Sequence, residues 1–234
     1  MVLALSLIFA TSCTKEKDTA DLSRTTFFAD FTLEGDGTIF LPCGTAYTEP
    51  GVKAEENGTA VEVTTTMASG LYFGEAGVGE DVADIYAISY SAINSDGFPG
   101  TASRTVIVSC NGDLGNNEIE GLYTATIVRV TGETHSNLEY VIIHKTGDNE
   151  YKLSSAIGGF YENGRGFGPG YAAEGANISF DGTSFAATTA TFPLWGNIID
   201  IMGLTLDAAS KTISYHATGD FGSAEFDVVL TQVN

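Results

Sequence analysis

The segment Ile85-Tyr86-Ala87-Ile88-Ser89-Tyr90-Ser91-Ala92 partly alternates between apolar and polar side chains. Such alternation is typical of a β-strand that buries one face and exposes the other. The residues after it, Asn94-Ser95-Asp96-Gly97, favour a turn because Asn, Asp and Gly tolerate the backbone angles that a hairpin requires. Another run rich in β-branched residues follows at 101–109. These features predict neighbouring strands and favour an all-β domain.

The same pattern extends over the amino-terminal half of the chain. Short runs rich in Val, Ile, Thr, Tyr and Phe alternate with clusters of Gly, Asn and Asp, and no long amphipathic helix is indicated. The predicted strands are 27–33, 38–41, 60–66, 85–92 and 101–109. About seven short strands in a domain of this size are typical of an immunoglobulin-like β-sandwich, which we expect over residues 27–110.

A second domain is predicted at 119–234, after a linker at 111–118. Its strands are expected at 121–130, 138–145, 150–156, 171–180, 184–190, 197–206, 212–217 and 223–233. Successive strands with short connections indicate an antiparallel meander, either closed as a barrel or folded as a sandwich. The acidic linker has oxygen ligands of the kind that calcium prefers, but its spacing matches no EF-hand loop, which favours a solvated linker.

The amino terminus has the layout of a bacterial lipoprotein signal. An apolar run at 2–10 is followed by small residues, by Cys13 and at once by charge. The run is too short to span a bilayer and fits the apolar core of a signal peptide, although no Lys or Arg precedes it. We predict a signal peptide at 1–12, lipidation of Cys13 and a tether at 13–26, so that acyl chains anchor the protein to a membrane.

Net charge and cysteine content limit the classes of function. The chain has 30 acidic and 10 basic residues and a formal net charge of -20. Nucleic acid is excluded as a partner, because its binding depends on Lys and Arg that neutralise phosphates. Cys43 and Cys110 are either a disulfide or two buried thiols, since sequence alone does not place them within bonding distance.

Three segments carry a family resemblance. Residues 44–54, with Tyr47 and Pro50, and residues 90–98 and 104–108 resemble bacterial immunoglobulin-like modules that open a group of Bacteroidetes surface lipoproteins. Thr14-Lys15-Glu16-Lys17-Asp18 resembles the export signal of such lipoproteins, and the second domain is similar to their carboxy-terminal partner. The resemblance implies a spacer domain in which Tyr47 and Pro50 are packing and turn residues. It also implies a place on the outer membrane beside glycan-importer proteins, but no ligand residues.

One segment of the second domain, residues 158–171, combines glycines with aromatic side chains and an arginine. No helix is expected after these glycines, so that a phosphate-binding loop is not indicated. Aromatic faces can stack on sugar rings while Asn, Glu and Arg bind hydroxyl groups, which favours a polysaccharide or oligosaccharide. The alternative is that the aromatics fill the core. The predicted ligand-binding residues are Phe160, Tyr161, Arg165, Phe167, Tyr171 and Trp195.

No catalytic motif is present, and the sequence predicts neither an enzyme nor a bound metal or cofactor. His144 and His216 lie in predicted strands and would have to meet across a sheet to hold a metal. Glu162 and Asp200 are the carboxylates considered for glycoside hydrolysis, which needs a pair about 5 to 9.5 Å apart. The sequence therefore favours a non-catalytic lipoprotein that binds a glycan, with a structural or adhesive envelope protein as the alternative.

Overall fold

A computed structural model of the chain describes residues 25–74 and 76–233. The predicted signal peptide, the predicted lipidation site Cys13 and most of the predicted tether lie outside these ranges. The helices found within them are single turns, and none is long and apolar enough to cross a membrane.

The first domain is a sandwich of two small sheets. Strands β1, β3 and β4 form one sheet, and β2, β7, β6 and β5 form the other in that order. All pairs are antiparallel except β2 with β7. This arrangement confirms the predicted immunoglobulin-like sandwich. The strands are β1 (Asp30–Leu33), β2 (Thr38–Pro42), β3 (Val52–Glu56), β4 (Thr59–Val61), β5 (Thr64–Met67), β6 (Asp84–Ile93) and β7 (Pro99–Ser109).

Strand β6 has the alternation that its sequence predicts. Tyr86, Ile88 and Tyr90 are fully buried between the sheets, whereas Ala87 and Ser89 are exposed. Two details of the predicted strands were wrong. Strand β3 was missed because three of its five residues are charged, and the predicted strand 60–66 is two strands, β4 and β5, that belong to different sheets.

Polar and covalent links fasten the loop between β2 and β3 to the rest of the sandwich. The guanidinium of Arg104 is fully buried, donates a hydrogen bond to the carbonyl of Glu34 at 2.8 Å and lies 3.3 Å from the Glu49 carboxylate. Tyr47 donates to the same carboxylate, so it has a polar role beside the packing role implied for it. Cys43 and Cys110 form a disulfide, which settles the alternative left open by the sequence.

The second domain is one curled sheet of nine strands, and every pairing in it is antiparallel. The order is β12-β11-β10-β9-β8-β16-β15-β14-β13. The predicted antiparallel meander is confirmed, and it takes the form of a single curled sheet whose edge strands, β12 and β13, are consecutive in the chain. The strands are β8 (Gly121–Arg129), β9 (Thr134–Gly147), β10 (Glu150–Leu153), β11 (Asn177–Phe180), β12 (Phe185–Ala187), β13 (Ala190–Thr191), β14 (Ile198–Asp207), β15 (Thr212–Gly219) and β16 (Glu225–Gln232).

The segment between β10 and β11 packs into the curl of this sheet. Ile157, Phe160 and Tyr161 belong to one buried cluster with Ile127 and Phe226 from the sheet. Gly158 has a positive φ of 65°, and a Cβ atom there would lie 2.9 Å from the Ile127 side chain. A glycine is therefore required where the segment enters the core, because it fits the close approach and adopts the left-handed conformation without strain.

A third buried cluster joins the two domains. It contains Ile107 from the first domain and Leu122 and Ile142 from the second. The residues predicted as a linker lie against the second domain. Asn111 donates to the carbonyl of Val233 at 2.8 Å, and Leu114 is buried in the second core. The two domains therefore share a small buried interface.

Candidate functional site

The glycine-rich segment forms two short helical turns. A π-helical turn covers Phe160–Gly164, and a 3-10 turn covers Pro169–Tyr171. The expectation that no helix follows the glycines was therefore wrong, although each turn is too short to act as an anion site of the helical kind. The expected strand 171–180 is also shorter, because β11 begins only at Asn177.

The glycine-rich segment meets Trp195 in space, which places all the predicted aromatic residues in one cluster. The Trp195 ring centroid lies 4.9 Å from that of Tyr161 and 5.0 Å from that of Tyr171. Phe167 lies 5.3 Å from Tyr171 and is nearly parallel to Tyr161, at 6.1 Å. Phe160 packs against Tyr161 at 5.0 Å. The fold thus unites residues that are more than thirty positions apart in the sequence.

Burial divides this cluster into two layers. Phe160 is fully buried and Tyr161 is 4% exposed, so neither ring has a free face on which a sugar could stack. Phe167 is 49% exposed and Trp195 is 43% exposed, and Tyr171 is half-buried between them. We call Phe167, Tyr171 and Trp195 the outer aromatic surface. It packs against the buried ring of Tyr161, which in turn packs against Phe160, and this packing limits the movement of the exposed rings.

Arginines lie beside the outer aromatic surface. The guanidinium of Arg165 lies 5.1 Å from the Phe160 centroid and 5.2 Å from that of Tyr161. Its Nε donates to the Glu133 carboxylate at 3.0 Å, and a terminal nitrogen donates to the other oxygen. These bonds hold the pKa of Glu133 down at about 2, with a smaller contribution from His135. Arg129 lies over the Phe160 ring at 5.7 Å.

The arginines and the aromatics line a common pocket. Its volume is about 370 Å³, which is within the range of small-molecule sites. The sequence did not identify Arg129, Asn197 and Phe221 as pocket residues. Each lies on a different strand or turn, and only the folding of the sheet brings them together. The lining residues are Arg129, Tyr161, Arg165, Phe167, Trp195, Asn197 and Phe221.

The carboxylates considered for hydrolysis do not form a pair in this pocket. Glu162 is buried in the domain, whereas Asp200 is exposed on β14. Burial raises the pKa of Glu162 to about 8, and the nearby charge of Glu174 contributes to the shift. Its carboxylate accepts a hydrogen bond from Ser155 at 3.1 Å. Glu162 is therefore closed off from solvent, whereas Asp200 faces it.

The histidines considered as metal ligands are also apart. His144 lies on β9 and His216 on β15, with β8 and β16 between them in the sheet. Each has its own acidic neighbour, Glu120 at 3.4 Å and Asp227 at 2.8 Å. In the linker, both oxygens of Asp113 accept hydrogen bonds from the turn that follows. The described residues contain no group of three or more metal-ligating side chains.

Fold and site together define an all-β, two-domain protein with an immunoglobulin-like module before a curled sheet that presents aromatic side chains. Residues 31–108 match the family model of the bacterial surface protein Ig-like domain. Residues 111–232 match the model of a family described as a C-terminal domain. Since this second match covers more than half of the chain, the protein belongs to that family.

A solved structure extends the likeness over both domains. The chain is 27% identical to the lipoprotein BT2262 from Bacteroides thetaiotaomicron, with a TM-score of 0.66. The match covers 88% of this chain and 100% of that one. Together with the family models, it confirms the resemblance to Bacteroidetes surface lipoproteins.

Another match concerns the M60 catalytic domain with the CBM51-1 and CBM51-2 domains of Clostridium perfringens ZmpB. The identity is 11% and the TM-score 0.26, over 88% of this chain and 21% of that one. A similarity this low carries no argument about fold or function. Among curated proteins, no significant match is found.

Proposed function

We propose that this protein is a non-catalytic lipoprotein of the outer cell surface that binds a glycan at the outer aromatic surface. The observation that carries the proposal is that Phe167, Tyr171 and Trp195 form one partly exposed aromatic group beside a pocket. Aromatic rings have a large apolar face, and their exposure to water is costly unless a ligand covers it. The apolar C–H face of a sugar ring is a ligand of suitable shape.

The supporting residues have distinct parts in this proposal. Trp195 and Phe167 stack on sugar rings, and Arg165 and Asn197 at the pocket wall donate hydrogen bonds to hydroxyl groups. Phe160 and Tyr161 hold the outer aromatic surface from below. Because Tyr161 contacts both Trp195 and Phe167, it fixes the distance between the stacking rings. A rigid surface loses little conformational entropy when a ligand binds, which favours affinity.

The proposed location follows from the relatives and the amino terminus. The chain is homologous to a Bacteroides lipoprotein and carries a bacterial surface protein Ig-like domain. We propose that Cys13 is acylated and holds the protein on the outer face of the outer membrane. The immunoglobulin-like module then acts as a spacer that presents the second domain to polymers outside the cell, near glycan-importer proteins.

Affinity electrophoresis tests the proposal. The lipid-free chain that begins at Thr14 is run through native gels containing plant, microbial or host polysaccharides. We expect at least one of them to retard the protein, and Trp195→Ala to remove the retardation. Leu194→Ala is the matched control, because Leu194 is the exposed neighbour of Trp195 and is itself apolar. Equal retardation of both variants and the wild type would exclude the outer aromatic surface as the site.

An adhesive role is the second candidate, and one observation favours it. Phe28 and Phe98 are exposed in the first domain and lie 6.1 Å apart, which gives that domain an apolar surface of its own. If no polysaccharide retards the protein, the glycan proposal fails. The capture of envelope proteins by the wild type but not by Phe98→Ser would then support a role in protein binding.

A further inference from the structure

The arginines of the chain have an unusual distribution. The sequence contains four, Arg24, Arg104, Arg129 and Arg165, among an excess of acidic residues. Within the described ranges, Arg104 is buried in the first domain and the remaining two both line the pocket at the outer aromatic surface. In a chain with a net charge of -20, this pocket is therefore the place where guanidinium groups are concentrated.

The guanidinium groups differ in what they already bind. Arg165 is neutralised by Glu133, which accepts hydrogen bonds from it on both oxygens. Arg129 uses only Nε, which donates to the carbonyl of Ser223 at 2.8 Å. Among the described residues, no acceptor binds its two terminal nitrogens and no carboxylate forms an ion pair with it. Arg129 thus keeps a positive charge and two donor groups available at the pocket.

The position of Arg129 is fixed by its neighbours. Its guanidinium lies 5.5 Å from the Phe226 centroid and 5.7 Å from that of Phe160, and both rings are fully buried. Cation–π contacts and the bond to Ser223 orient the group before any ligand arrives. A planar guanidinium with free donors matches a carboxylate or another oxyanion, and bonds between charged groups are stronger than bonds between neutral ones.

We propose that the glycan bound at the outer aromatic surface is acidic, and that Arg129 binds its carboxylate or sulfate group while Trp195 stacks on a sugar ring. This inference rests on the glycan-binding function proposed above and narrows it to one chemical class. The protein as a whole repels anions, but salt at physiological concentration screens charges more than about 8 Å apart. Contact with Arg129 is within that distance, so its charge acts on a glycan in the pocket with less screening than the distant carboxylates do.

The test compares acidic and neutral polysaccharides in native gels at physiological salt. Polygalacturonate is paired with its methyl-esterified form, which keeps the sugar chain and removes the charge. Chondroitin sulfate is paired with chondroitin, which keeps the carboxylate and removes the sulfate. Alginate represents other acidic polymers, and dextran, xyloglucan and galactomannan represent neutral ones. We expect retardation by acidic polymers and at least ten-fold weaker binding to the esterified partner.

Variants assign the effect to Arg129. We expect Arg129→Gln to weaken the binding of the retained acidic polymer ten-fold or more, while Arg129→Lys keeps part of it. Lys152→Gln is the matched control, since it removes the same charge from an exposed position on β10. Thermal unfolding of each variant shows whether the fold is intact. If Arg129→Gln unfolds, the binding of the acidic polymer by Arg129→Lys is compared with that by Lys152→Gln. Weaker binding by Arg129→Lys than by Lys152→Gln would then support the inference.

The outcomes separate this inference from the function on which it rests. Retention by neutral polymers alone, abolished by Trp195→Ala, would overturn the inference and leave glycan binding supported. Retention by acidic polymers that is unchanged in the Arg129 variants would also overturn it. The absence of retention by every polymer would overturn both.

Discussion

The ring of Trp195 meets the ring of Tyr161 edge-on, with centroids 4.9 Å apart and planes at 88°. Tyr161 belongs to the core, whereas 43% of the Trp195 surface is exposed. One contact therefore joins the folded interior of the second domain to the surface proposed to bind glycan. Stability and binding should respond differently to changes on the two sides of this contact.

Removal of the buried Tyr161 ring should destabilise the second domain. We expect Tyr161→Ala to lower the free energy of unfolding by about 3–5 kcal/mol, because it leaves a cavity where a large aromatic side chain was packed. Tyr161→Phe is the control that keeps the ring and should cost much less. Urea unfolding followed by tryptophan fluorescence measures both, since Trp195 is the single tryptophan and lies against this ring. Equal stabilities of the Ala and Phe variants would contradict the buried position.

The ion pair between Glu133 and Arg165 should affect binding more than stability. The pKa of Glu133 is lowered from its ordinary value of 4.5 to about 2 in the folded protein. The ionised Glu133 therefore stabilises the fold fully above pH 4.5, and this stabilisation is lost as the pH falls toward 2. Because the pair is at the surface, we expect Glu133→Gln to cost under about 1 kcal/mol at pH 7. The substitution leaves Arg165 without its carboxylate beside the pocket.

The same variant should therefore bind acidic polysaccharide several-fold more tightly in affinity gels. A neutral polysaccharide that the wild type retains serves as the comparison and should be unaffected. Weaker binding of the acidic polymer by Glu133→Gln would indicate that Glu133 positions Arg165 for the ligand rather than competing with it.

Glu162 should make the protein less stable as the pH rises. Its pKa is raised from 4.5 to about 8 in the folded state, so the native protein holds the proton more tightly than the unfolded chain does. The stabilising effect is complete below pH 4.5, decreases as the pH rises, and is lost at about pH 8. Between pH 4 and pH 7, the change amounts to about 3 kcal/mol.

We expect Glu162→Gln to abolish this dependence, because a neutral amide has nearly the shape of the protonated carboxyl group. Urea unfolding of both proteins at several pH values from 4 to 8 gives the difference between their free energies of unfolding. A difference that stays constant over this range would show that folding does not raise the pKa of Glu162.

The disulfide should be important for the first domain. Cys43 and Cys110 are 67 positions apart, and a crosslink that closes a loop of this length stabilises the folded state by about 4 kcal/mol in the chain-entropy account. We expect the double variant Cys43→Ser, Cys110→Ser to lose a large part of that amount. Thermal unfolding with and without a reducing agent checks this: reduction should lower the midpoint of the wild type and leave the double variant unchanged.

Local pattern predicted much of the fold. The alternation in β6 identified a strand with one buried face, and most strands of the second domain lie close to their predicted positions, as β14 and β15 do. Strand β3 escaped prediction because charged residues occupy most of it and only Ala54 is buried. Its place in the sheet comes from pairing with β1, which local sequence does not encode.

The sequence by itself determined that the chain is all-β and that its aromatic and glycine-rich segment is exceptional. These conclusions depend on residue types and on short-range periodicity. Only the tertiary structure decided that Phe160 and Tyr161 lie in the core while Phe167 and Trp195 face solvent, and that Arg129 joins them. The physical reason is that burial depends on which surfaces pack against a side chain. In a curled sheet, those surfaces come from strands far apart in the sequence.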